Sequence, residues 1–90
     1  MCRNIRVLFN FEPPTTETEM EAAALQYVRK VSGTRAPSQA NTARFEKAVA
    51  DIARATKELL DGMETQAPPR TREHEIAKAR ERNRKRFGTA

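Results

Sequence analysis

The sequence predicts a mostly α-helical fold, a helical hairpin covered by an N-terminal extended arm and followed by a basic C-terminal helical tail. Two long stretches repeat their apolar residues with helical spacing, one short stretch near the start alternates with period two, and no second strand candidate follows it. The 90 residues fit one domain, drawn as a body over 1–66 and a proline spacer with a tail over 67–90.

The arm spans 5–11, where Ile5, Val7, Phe9 and Phe11 alternate with Arg6, Leu8 and Asn10. A lone strand needs a partner, so the arm is expected either to lie across the helices or to pair with its copy in a dimer. Pro13-Pro14 ends it. The first helix is predicted over 16–32, because Thr16-x-x-Glu19 is a capping box and Met20, Ala24, Tyr27, Val28 and Val31 share one face. Gly33 stops it, and Ser32 to Asn41 is a loop rich in Ser, Gly, Pro and Asn, with Ser38 or Asn41 as the next cap.

The second helix is predicted over 41–62. Phe45, Val49, Ile52, Thr56, Leu59 and Met63 form its apolar stripe, and Lys47, Asp51, Arg54 and Glu58 lie opposite with i,i+4 charge pairing. Ala67, Pro68 and Pro69 read as a stiff spacer. From Thr71 to Phe87 the residues favour helix, yet Ile76 and Phe87 are the only large apolar side chains there. The expected core is Leu8, Phe9, Met20, Ala24, Val28, Val31, Phe45, Val49, Ile52, Leu59 and Leu60. A chain of this size buries only about 60–65% of its unfolded surface, so self-association is expected.

Charge divides the chain. Residues 1–69 hold nine Lys/Arg and nine Asp/Glu, while 70–90 hold eight Lys/Arg and three Glu, so the net charge of +5 belongs to the tail. Arg80, Arg82, Arg84, Lys85 and Arg86 form a cluster suited to phosphate, which makes RNA or single-stranded DNA a candidate partner. The competing reading is a solvated basic terminus, since Phe87 is the tail's only aromatic ring for base stacking. Arg29, Lys30 and Arg35 around Ser32-Gly33 suggest an anion site. Cations in the last turn of a helix and a glycine cap explain the same residues without a ligand.

Catalytic and metal chemistry find little footing. Cys2 is the only cysteine and His74 the only histidine, so neither a disulfide nor a thiolate metal cage is expected, and no cofactor is implied. Cys2 beside Arg3 is a conceivable nucleophile, but neither a base nor a resolving thiol lies nearby in the sequence. Glu17, Glu19 and Glu21 suit the start of a helix and need no catalytic role. The patch from Ile5 to Phe11 is interrupted by Arg6 and Asn10 and is too short to span a membrane or to act as a signal, so a cytoplasmic protein without a membrane partner is expected.

Met1-Cys2-Arg3-Asn4-Ile5, Asn10-Phe11-Glu12-Pro13-Pro14 and the run from Ala22 to Gly33 together resemble a small bacterial family known as domain of unknown function 2277. Pro37-Ser38, Asn41, Phe45, Ala48-Val49, Leu59-Leu60, Ala67-Pro68-Pro69-Arg70 and Arg72-Glu73 extend the likeness over nearly the whole chain. The resemblance implies a bacterial cytosolic protein in which the Cys2-Arg3-Asn4 start and the Arg29-Lys30 segment matter. It carries over no catalytic residue.

Three functional classes follow: a non-enzymatic accessory protein contacting nucleic acid through its tail, a protein-interaction module or homo-oligomer acting through apolar faces, and, last, a thiol enzyme using Cys2. Salt separates the first two, because a phosphate contact weakens steeply with ionic strength and an apolar interface does not.

Overall fold

A computed structural model describes residues 4–86. The described chain is mostly helical: α1 (Glu17–Ser32), a short 3-10 turn (Gln39–Asn41), α2 (Thr42–Gly62) and α3 (Arg72–Arg86). Among the described residues no strand forms. The arm instead makes one isolated parallel bridge, between Phe11 and Arg70.

Local chemistry sets the helix ends. The predicted capping box closes α1: the Thr16 hydroxyl accepts from the Glu19 amide at 3.2 Å, and Glu19 Oε1 accepts from the Thr16 amide at 2.9 Å. Gly33, at φ +72°, ends the helix in the left-handed conformation that glycine adopts most easily. Entry into α2 departs from expectation. Neither Ser38 nor Asn41 caps with its side chain, and the chain turns through the 3-10 segment, where Thr42 Oγ1 donates to the Ser38 carbonyl at 3.0 Å. On the outer face of α2, Asp51 accepts from Lys47 at 2.6 Å and from Arg54 at 3.0 Å, and Lys57 pairs with Asp61 at 2.6 Å.

The helices α1 and α2 pack as an antiparallel hairpin, with Met20 near Leu60 at one end and Leu25 near Phe45 and Val49 at the other. The buried apolar side chains are Leu8, Met20, Ala24 and Val28, so the core lies under the arm on one half of α1.

Several expected core and face positions are corrected. Ile5 and Val7 are exposed, against the period-two reading, while Leu8 is buried as the expected core has it and Phe9 and Phe11 are half-buried. The alternation rule needs a continuously extended backbone, whereas this segment bends repeatedly and Asn10 enters the left-handed region at φ +63°. Val31 is 65% exposed, more than a turn beyond Gln26, whose side chain accepts from the Asn4 amide at 2.8 Å. Leu59 is 58% exposed, and its neighbour Leu60 turns inward instead. Phe9, Phe45, Val49 and Ile52 are half-buried.

Candidate functional site

The segment after α2 is held against the arm. Asn10 is the pivot: its left-handed backbone turns its carbonyl toward the Arg70 amide at 2.7 Å, and its side-chain amide donates to the carbonyls of Ala67 at 3.3 Å and Pro68 at 3.1 Å. Asparagine is among the few residues that tolerate this φ. Arg70 completes the contact, since its carbonyl accepts from the Glu12 amide at 2.9 Å and its guanidinium donates to the Phe9 carbonyl at 2.7 Å. The predicted spacer at 67–69 is therefore tied to the arm, and the boundary drawn at residue 66 is crossed by these bonds.

The first turn of α3 adds a charged clasp. Arg72 donates to the carbonyls of Pro13 at 2.7 Å and Pro14 at 3.3 Å, pairs with Glu19 Oε1 at 2.8 Å, and stands over the Phe11 ring 5.2 Å from its centroid. Glu19 thus serves the α1 cap and the α3 anchor with one carboxylate, and Arg6 approaches its other oxygen at 3.5 Å. The Arg72 hydrogen bond, helped by the Thr16 amide and opposed by partial burial, lowers the Glu19 pKa to about 2. The same pair raises the Arg72 pKa above its ordinary value.

Beyond this clasp, the arm and α3 wall a cleft of about 690 Å³. Val7, Leu8, Phe11, Ile76 and Ala79 supply its apolar surface, and Arg6, Arg70, Arg72, Lys78 and Arg82 face it against two carboxylates, Glu19 and Glu75. Its field is positive.

The tail cations are placed along α3. Arg80, Arg82, Arg84 and Lys85 are exposed, and Arg86 is the last helical residue, its side chain lying outside the described part together with Phe87. The helix turns by about 100° per residue, so these cations surround the axis and form no single stripe. Arg84 pairs with Glu81, and Arg82 faces the cleft. Glu73 and Glu75 occupy the first turn, with the cations beyond them, the polarity the helix dipole favours.

Of the second predicted cluster, Arg29 and Arg35 meet. Arg29 Nε donates to the Arg35 carbonyl at 3.0 Å, and both side chains line a cavity of about 770 Å³ with Pro37, Phe45 and Val49. Lys30 is exposed on α1 and lines no part of that cavity. His74 is exposed, and its backbone amide donates to Thr71 Oγ1 at 3.2 Å. Cys2 lies outside the described residues. Among the described residues no group of three His, Cys, Asp or Glu is close enough to hold a metal ion, and no helix is long and apolar enough to cross a membrane.

Sequence reasoning named Glu19 as a cap and missed its second task, along with the roles of Asn10, Arg70 and Arg72. The signal was present as the two proline-bearing strings, Asn10 to Pro14 and Ala67 to Arg70, which the fold brings face to face.

Comparison with known proteins finds no match among curated proteins and none among solved structures. Comparison with protein families matches residues 1–78 to a family described as "Uncharacterized conserved protein (DUF2277)". The matched region takes in the arm, both helices of the hairpin and the clasp, and it stops short of Arg80. With the match covering most of its length, the chain belongs to the family of domain of unknown function 2277.

Proposed function

We propose that this is a non-enzymatic cytoplasmic accessory protein that contacts nucleic acid, RNA or single-stranded DNA, through α3. The observation that carries the reading is the placement of that helix. Its base is fixed by Arg72 on Glu19, its backbone packs on neither α1 nor α2, and Arg80, Arg82, Arg84 and Lys85 are all open to solvent. A charged rod anchored at one end can follow a phosphate backbone without regard to base identity. Arg6 and Lys78 lie beside the same helix in the cleft and add to the attraction.

The test is a salt titration of a labelled oligonucleotide. If about four phosphates are neutralised, log affinity falls against log salt with a slope of roughly −3 to −4. Replacing Arg80, Arg82 and Lys85 together by Ala flattens the slope by about 2 to 3 and leaves the helical content unchanged. Equal binding by the intact and substituted proteins would refute the proposal.

A further inference from the structure

The molecule is too open for its mass. A compact chain of 90 residues has a radius of gyration of about 12 Å, whereas this one measures 16.0 Å. Its accessible surface is 7364 Å², about 2,000 Å² above the roughly 5,300 Å² that a folded monomer of this mass exposes. The principal extents are 49 × 36 × 15 Å, so the chain is flat as well as open. Domains are stable as two packed layers, and this chain supplies one with a partial cover.

The missing cover has a definite place. Met20, Ala24, Tyr27 and Val31 form one stripe on α1, within about 60° of one another at 100° per residue. Its first half is buried, at 6% exposure for Met20 and 1% for Ala24. Its second half is bare, with Tyr27 at 48% and Val31 at 65%. Asn4 of the arm reaches Gln26, which brings Ile5, 43% exposed, to the same end of the helix.

We infer that a second copy of this chain covers the bare half of the stripe, Tyr27 against Val31 of its neighbour and the reverse, in an isologous dimer built on paired α1 helices. The area agrees. A stable interface takes about 800 Å² from each partner, and the excess surface of about 2,000 Å² is larger than that. A two-fold contact also needs no second patch, because one apolar stripe is its own complement. Crossing α1 on α1 turns two single-layer hairpins into a two-layer, four-helix arrangement.

The experiment is sedimentation equilibrium of the full chain, nuclease-treated and in high salt, with the variants Val31→Lys, Tyr27→Ser and Ile76→Ser. Both stripe positions are exposed, so their variants keep the helical circular dichroism of the parent. The expected result is a dimer of the parent chain at micromolar concentration, a shift toward monomer by tenfold or more in dissociation constant for Val31→Lys and for Tyr27→Ser, and no shift for Ile76→Ser, whose site lies on α3. A parent that stays monomeric at every concentration would overturn the inference, as would a dimer that Val31→Lys leaves intact or one that Ile76→Ser dissolves equally. Nucleic-acid binding through α3 is read in a separate titration, so the two proposals fail independently.

Discussion

Asn10 combines a backbone requirement with a side-chain one, and substitution separates them. Asn10→Gly keeps the left-handed turn and loses the amide, at a cost of about 1 kcal/mol for two exposed hydrogen bonds. Asn10→Ala loses both and costs about 2 kcal/mol, since alanine lacks the short polar side chain whose local hydrogen bonds let asparagine tolerate the left-handed region, worth roughly 1 kcal/mol. Thermal denaturation of the two variants gives that order, and an alanine variant as stable as the glycine one would show that φ is unimportant here. Glu19 makes a pH-dependent contribution. Its carboxyl titrates near 2 when folded and near the ordinary value of 4.5 when free, so the folded state favours the charged form. The stabilisation is fully present above pH ~4.5 and is lost as pH falls toward ~2. In acid titrations the parent therefore loses stability across this window more steeply than Glu19→Gln, which lacks the charge at every pH.

At the scale of elements, the helices were legible and their docking was not. Periodicity with the Thr16–Glu19 box and Gly33 placed α1 within a residue, and the stripe from Phe45 to Met63 placed α2, because those signals are local. The arm was misread for a nonlocal reason. Which side of so short a segment is buried depends on what lies against it, and the partners of Phe9 to Pro14 stand about 60 residues away in sequence. The chain runs as a helix over Arg72–Arg86, but nothing in the sequence at Arg70 or Arg72 marks those cations as spent on carbonyl oxygens and on Glu19. Two truncations test the clasp. Residues 1–66 keep the hairpin but lose the cover over Leu8, so the arm amides exchange rapidly and the melt is lower and broader. Residues 1–78 retain Arg70 and Arg72 and melt close to the intact chain, by circular dichroism. Equal melts for 1–66 and 1–78 would deny the clasp any stabilising role.

For the whole molecule, stability is coupled to concentration if the open face of α1 is closed by a second copy. Unfolding then separates two chains, and the melting temperature rises with protein concentration, whereas a monomer melts at a fixed temperature. Differential scanning calorimetry over a hundredfold range of concentration distinguishes the two. The order in which the clasp becomes available during synthesis follows from its position. A ribosome adds about 5–20 residues each second, so the arm emerges some 3–12 s before Arg70 and Arg72 exist to hold it. Through that interval Leu8, Phe9 and Phe11 belong to a nascent chain with α1 half dressed, open to whatever chaperone waits at the exit, and only the arrival of the second proline pair ends the wait.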